Sequence, residues 1–134
     1  MIDIENEIFA EVADYVDSKK PNVWLTSEYV KTPPAFPAAS IVEVDNTTYR
    51  RTQSGSNSEN HAMVMYEVNV YSNKKDGKKA ECREVMAAID TRFLQLGFTR
   101  VMMDTVQNLD DATIYRMVSR YRAVISADHI IYRS

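Results

Sequence analysis

The feature that most restricts the fold of this chain is a helical repeat of apolar side chains in its second half. They recur at i, i+3, i+4, i+7, i+11 and i+14, at Cys82, Val85, Met86, Ile89, Phe93 and Leu96. This spacing puts them on one face of a helix. Asp76 is positioned to cap the start of that helix, and Gly97 suits the position just past its end. The sequence therefore predicts an amphipathic helix that must bury one face against other elements.

Strand patterns flank this helix on both sides. In residues 62–72, Val64, Tyr66, Val68 and Val70 alternate with a second set of side chains, which predicts a strand. A hairpin follows the helix, with strands at 98–106 and 112–126 and a turn at 107–111. We also expect a short strand at 130–132.

The first part of the chain predicts a helix, two strands and a polar excursion. Apolar residues at helical spacing begin after a possible cap at Asp3, and Pro21 stops the helix. Strands are expected at 23–30 and 40–45, joined by a proline-rich extended connection. Residues 46–61 hold few apolar groups and are expected to form a long polar loop or hairpin tip.

The long strand 112–126 has two different faces. One face is mostly apolar and suits helix packing, whereas the other places Arg116, Arg120 and Arg122 among aliphatic residues. The same side of the sheet would show Glu67 and either Glu43 or Asp45. Burial against other subunits would account for this mixed face, with the arginines joining acidic partners such as Glu43 or Glu67.

These elements predict a single α+β domain over residues 1–134. Two helices would pack on one face of a mostly antiparallel mixed β-sheet, with a long polar hairpin or loop. The chain has 134 residues, of which 45% are hydrophobic, and this length suffices for one core.

Several classes of protein are excluded by composition. No apolar stretch approaches the roughly 20 residues of a membrane helix, and the acidic N-terminus lacks the order of a signal peptide. One cysteine cannot form an internal disulfide, and the two histidines are far apart in sequence. The net charge of −3 argues against a dedicated duplex-DNA binder.

The search for catalytic chemistry predicts that the protein is not an enzyme. No phosphate-binding glycine motif is present. His61 and His129 are expected to be solvated, and Cys82 is expected to be a small buried hydrophobe. No cofactor and no metal are expected. Glu43, Asp45 and Glu67 are interpreted as salt-bridge partners or as charges that face a channel.

Several segments of this sequence resemble the tail terminator or tail completion proteins of long-tailed bacteriophages. They are SEYV at 27–30, the proline-rich 33–37, YRRTQ at 49–53, YEVNVYSN at 66–73, LGFTR at 96–100 and ATIYRMV at 112–118. The resemblance spans nearly the whole chain, but its motifs carry no chemical signature.

The resemblance implies a structural role in the virion tail, after synthesis in the host cytoplasm. Such a protein forms a ring, typically hexameric, at the head-proximal end of the tail tube. It stops tube polymerisation and offers a surface to the head connector or neck proteins. DNA would only pass through the channel, and no membrane is involved.

Candidate interface residues are Tyr49, Arg50, Arg51, Glu43, Glu67, Arg116, Arg120 and Arg122. The excursion from Asn46 to Asn60, with Tyr49 at its base, is expected to be flexible in the free subunit and to become ordered on docking to the tail tube or the connector. A neck or head-completion connector is the near alternative. A small nucleic-acid-binding module and an enzyme are further alternatives.

Overall fold

A computed structural model describes residues 1–48, 61–107 and 112–132 of the chain. Within these ranges lie two helices and six strands. In chain order they are α1 (Glu5–Lys19), β1 (Trp24–Thr26), β2 (Ala38–Thr48), β3 (His61–Ser72), α2 (Lys78–Leu96), β4 (Thr99–Gln107), β5 (Tyr115–Ser126) and β6 (Ile131–Tyr132).

The strands form one mixed sheet in the order β1-β2-β3-β5-β4, and β6 pairs with the end of β5. The β1–β2 pair is parallel and every other pair is antiparallel. Sequence-distant β3 and β5 are therefore neighbours at the centre of the sheet. This architecture confirms the predicted α+β fold.

Both helices pack on the same face of the sheet. Val12 of α1, Ile89 of α2, Val68 of β3 and Ala123 of β5 are all completely buried in one core. At its centre, Phe93 stacks on Tyr121 with ring centroids 4.3 Å apart and packs edge-on against Phe98 at 5.2 Å. This is the geometry that aromatic pairs favour. The alternation predicted for β3 and β5 therefore holds, with one set of side chains facing the helices.

Cys82 lies within this core, as predicted for a small buried hydrophobe. Its Sγ lies 3.4 Å from the carbonyl oxygen of Tyr115 and 3.7 Å from that of Val70. Burial is the main reason that the pKa of the thiol rises to about 12. The side chain is thus held as a protonated thiol that can donate weakly to the backbone.

The helix ends agree in part with the predicted caps. Gly97 follows α2 with φ 105°, a left-handed conformation that glycine adopts readily. The cap predicted at Asp76 is wrong, because Gly77 holds the capping position and no side chain bonds there. At α1, Ile4 is the capping residue, while the Asp3 carboxylate accepts a hydrogen bond from the Glu5 N–H at 3.3 Å.

The strand bounds differ from the predictions mainly near the proline-rich connection. Strand β1 has three residues rather than the eight expected from 23–30, because the chain bends from Ser27 onward. Strand β2 is longer than expected and runs to Thr48. The first residues of the predicted polar loop, 46–48, and its last residue, His61, are therefore strand, and residues 49–60 lie outside the described residues.

Candidate functional site

The sheet face opposite the helices, called here the open face, carries the arginines singled out in the sequence. Alternate residues of β5 point to it, beginning with Arg116, Val118 and Arg120. The segment 27–37 covers one end, where Val30 and Phe36 pack with Tyr71 and Ala38. No helix in the described ranges covers the remainder.

Four side chains on the open face form a continuous hydrogen-bonded chain across β3 and β5. Glu67 Oε2 accepts two bonds from Arg120, from Nε at 3.0 Å and from Nη2 at 2.7 Å. Glu67 Oε1 accepts a bond from the Asn69 amide nitrogen at 3.1 Å. The Asn69 amide oxygen in turn accepts a bond from Arg116 Nε at 2.9 Å. This arrangement is called the arginine network below.

The strand register explains why the network forms. Glu67 pairs directly with Arg120, while Asn69 pairs with Val118 and so lies between Arg116 and Arg120. Directly opposed residues in antiparallel strands have adjacent Cβ atoms. The Glu67 side chain is 11% exposed and that of Arg120 is 46% exposed. The carboxylate is therefore held in the sheet, while the guanidinium extends towards the solvent.

Tyr71 extends the network at the covered end of the open face. The Arg116 guanidinium lies 5.9 Å from the centre of the Tyr71 ring, within the range of a cation–π contact. Burial raises the pKa of the Tyr71 hydroxyl, although Arg116 acts in the opposite direction. The network thus runs from exposed Arg120 to a phenol packed beneath the segment 27–37.

A depression of about 450 Å³ adjoins the network on the side of β4. Its polar lining consists of Glu67, Arg116 and Arg120. Its apolar lining consists of Tyr29, Met65, Val101, Met102, Val106 and Val118. Tyr29 is 68% exposed and Val101 is 45% exposed. The open face therefore combines exposed apolar groups with charges that are already oriented, which is the composition of a protein-contact surface.

The predicted site residues divide into three groups. Glu67, Arg116 and Arg120 come together in the network, and Arg122 lies on the same face opposite Met65. Tyr49, Arg50 and Arg51 lie outside the described residues. Glu43 is on the opposite side of the sheet.

A bulge in β2 places Glu43 and Asp45 on different faces. Glu43 pairs with Tyr66, which faces the helices, whereas Asp45 pairs with Met65 on the open face. Val44 is the extra residue between them, and such a bulge reverses the alternation of side chains. Of the two acidic residues considered for this face, Asp45 is therefore the one present. Glu43 lies on the helix side of the sheet and is therefore not on the face that carries these arginines.

Glu43 instead belongs to a cluster of acidic side chains near the start of the chain. Its carboxylate accepts hydrogen bonds from the Tyr66 hydroxyl at 2.8 Å and from the Asn46 amide at 3.1 Å. Burial, and then the Glu43 carboxylate, raise the pKa of Tyr66 strongly. Burial and Glu43 also raise the pKa of Glu5. The cluster holds Tyr66 protonated and anchors the end of β2.

The two histidines have different surroundings. His129 is exposed, as predicted, and its Nδ1 lies 2.7 Å from a carboxylate oxygen of Glu7. His61 is half-buried and packs against the Tyr132 ring at 5.7 Å, so its expected solvation is wrong. Among the described residues, no group of three or more His, Cys, Asp or Glu side chains is arranged to hold a metal ion.

Two features of the open face were missed at the sequence level. Asn69, which links Glu67 to Arg116, is two residues from Glu67 on one strand, and this spacing was a signal that they share a face. Exposed Tyr29 and Val101 gave no such signal, because a single apolar residue in a loop or at a strand edge is common.

The fold and this site define an α+β domain with one helix-covered and one open sheet face. No helix in the described part of the chain is long and apolar enough to cross a membrane. Comparison with protein-family models and with curated proteins finds no match to this chain.

Proposed function

We propose that this protein is a structural component of a phage tail. It forms a ring, with six copies as the expected number, at the head-proximal end of the tail tube. There it terminates tube polymerisation and provides the surface that joins the tail to the head connector. The open face is the main observation that supports assembly. The resemblance to tail terminators supports the phage tail as the place where assembly occurs.

The open face favours assembly because no layer of the described residues covers its apolar groups. Exposed Val101 lies beside half-buried Met65 and Met102 in one depression. Large exposed apolar patches bordered by polar groups mark sites of protein contact. Arginine is also the cation best suited to interfaces, because its guanidinium is planar and weakly hydrated.

The arginine network argues against phosphate as the main ligand of this face. Arg120 is already bonded twice to Glu67, and Arg116 is bonded to Asn69. Binding of a phosphate would therefore have to compete with a carboxylate held in the sheet. Together with the net charge of −3, this favours a protein partner over nucleic acid.

Mass measurement of the purified protein tests the ring. We expect native mass spectrometry to give a closed oligomer of the 15.4-kDa chain, either alone or after addition of the phage's tail tube protein. A strict monomer under both conditions contradicts the proposal.

Electron microscopy of assembling tubes tests the position in the tail. Added protein should cap one end of each tube and limit tube length. A ring that binds filled heads but not isolated tubes would instead identify a neck protein.

A further inference from the structure

We infer that neighbouring copies join head to tail by β-sheet extension. In this contact the free edge of β4 in one copy pairs with the free edge of β2 in the next. The inference rests on the proposed function, because it names the contact that builds the ring. It concerns the edges of the sheet, and because Val101 lies on the edge of β4 and also lines the open-face depression, the contact would cover that side of the open face while the rest remains available to other components.

Among the described strands, two stretches have a neighbour on one side only. Strand β4 ends the sheet and pairs only with β5. On the other side of the sheet, β1 pairs with β2 only at Ala38, Ala39 and Ser40. Beyond Ser40, no described strand pairs with that side of β2. Residues 100–106 of β4 and 41–47 of β2 therefore present edges of matching length.

Each of these edges has an exposed valine at a bulge. Val44 of β2 lies at the register shift between Glu43 and Asp45, and it is 43% exposed. Val101 of β4 lies at the shift between Arg100 and Met102, and it is 45% exposed. These are the only valines among the large exposed apolar residues of the described ranges. The exposed apolar side chains therefore lie where the strands lack a neighbour among the described residues.

Each edge carries a bulge and charged side chains, which hinder pairing. Natural edge strands are also commonly blocked by lysine or proline, and residues 41–47 and 100–106 contain neither. Each is instead rich in the residue types of paired strands, including Ile41 and Val42 in one edge and Val101 and Val106 in the other. Unless something pairs with them, these edges are an aggregation hazard.

The strand directions make the two edges compatible. From β2 through β3 and β5 to β4 there are four strands, and each adjacent pair is antiparallel. Strands β2 and β4 therefore run in opposite directions. If a second copy is placed beside β4 in the same orientation, its β2 meets β4 in an antiparallel ladder. Helices of both copies then lie on one side of a continuous sheet.

This contact is heterologous, since one copy contributes β4 and its neighbour contributes β2. Heterologous contacts generate rings when the rotation between copies closes. Strand β1 occupies the edge of β2 at 38–40, so β4 of the neighbour must be displaced along the strand towards Thr48. The contact therefore excludes every register in which β4 of the neighbour would overlap residues 38–40.

Two lysine variants test the inference, each blocking one edge. Val101→Lys blocks β4, and Val44→Lys blocks β2, both at exposed positions where the fold tolerates a charge. Ala10→Lys, on the exposed side of α1, is the matched control for the added charge. Circular dichroism should show that all three variants are folded.

We expect each edge variant to be monomeric by itself, while the control assembles as the unmodified protein does. When Val101→Lys and Val44→Lys are mixed, one edge of each remains intact. The mixture should form a dimer with one copy of each variant and nothing larger. Labelling one variant with ¹⁵N lets native mass spectrometry identify this composition.

Three results would overturn the inference. If the unmodified protein and both variants all form rings, copies join elsewhere and the proposed function is unaffected. If Val44→Lys assembles while Val101→Lys does not, β4 pairs with β4. If the unmodified protein is a monomer both alone and with tube protein, the ring and this contact are both rejected.

Discussion

Glu67 shows how a single residue determines the properties of the open face. Its carboxylate receives Arg120 on one oxygen and Asn69 on the other, so a side chain with 11% exposure is fully partnered. Alternation in β5 predicted that the arginines share a face. The sequence named Glu43 and Glu67 as candidate partners but could not choose between them, because the β3–β5 register joins residues 53 positions apart and local periodicity contains no information about that pairing.

A double-mutant cycle on Glu67 and Arg120 measures the strength of this pair. We expect Arg120→Met to lower the free energy of unfolding by about 1–2 kcal/mol, since it leaves a mostly buried carboxylate without its cation. Solvent around the exposed guanidinium limits the loss. In the Glu67→Gln background the same substitution should cost less, by roughly 1 kcal/mol. Urea unfolding of the four proteins gives these values, and strict additivity would show that the pair does not contribute.

Tyr66 and Tyr121 predict a loss of stability at alkaline pH. Burial, and then hydrogen bonds to the carboxylates of Glu43 and Asp90, raise their pKa values well above the ordinary range. Their contribution to stability is complete below the usual tyrosine pKa of about 10. Above that pH it decreases, because the unfolded chain releases protons that the folded chain retains. We therefore expect the free energy of unfolding to fall as pH rises above about 10.

Absorbance at 295 nm checks this expectation. Part of the ionisation of the eight tyrosines should appear only when circular dichroism reports unfolding. Tyr121→Phe should reduce that part and flatten the dependence of stability on pH. Ionisation of every tyrosine while the fold remains intact would contradict the assigned pKa shifts.

At the scale of elements, long periodic segments were predictable and their interruptions were not. The apolar side chains of α2 and β3 repeat along the whole of each element, because one face of each is buried. The faces predicted from the sequence therefore agree with the structure. The bulge at Val44 has no such signature, because one extra residue leaves the composition of β2 unchanged. It nevertheless moves Glu43 to the helix side. Local propensity likewise predicted a longer β1, whose pairing with β2 ends at Thr26.

Gly97 follows α2 and lies against Ile131 of β6, and the effect of replacing it can be compared with that of replacing Gly77. Both have positive φ, 105° and 85°. A Cβ at Gly97 would lie 3.3 Å from Ile131 Cγ2, whereas one at Gly77 would meet nothing within 4 Å. Gly77→Ala should cost about 1–2 kcal/mol for the left-handed backbone alone, and Gly97→Ala should cost roughly 1 kcal/mol more. Thermal unfolding compares them, and equal losses would mean that Ile131 moves aside freely.

The whole molecule depends on one core shared by both helices and the sheet. Ile8 of α1, Phe93 of α2 and Ile125 of β5 belong to the same buried cluster. The second buried cluster among the described residues contains only Ala38, Tyr71 and Ile114, which is too small to support either half alone. The sequence indicated this organisation through its length and two amphipathic helices. The free edges were not predictable, because they depend on which strands become neighbours.

This shared core predicts one cooperative unfolding transition. Differential scanning calorimetry should show a single peak with a heat-capacity change of about 12–15 cal/mol/K per residue. If copies associate when folded, Tm should also rise with protein concentration. The monomeric edge variant Val101→Lys should unfold at a Tm that does not depend on concentration. Two resolved peaks would contradict a single domain.

The position of Cys82 gives this protein a built-in chemical reporter. It is the sole thiol of the chain, it has no exposed surface, and its raised pKa keeps it protonated at neutral pH. An aromatic disulfide reagent can therefore react only in the fraction of time during which α2 separates from the sheet. The labelling rate, compared with that of the unfolded chain, gives the free energy of that opening without any introduced probe. Measured in free and assembled protein, it reports whether contact between copies at the sheet edges restrains the interior of each one.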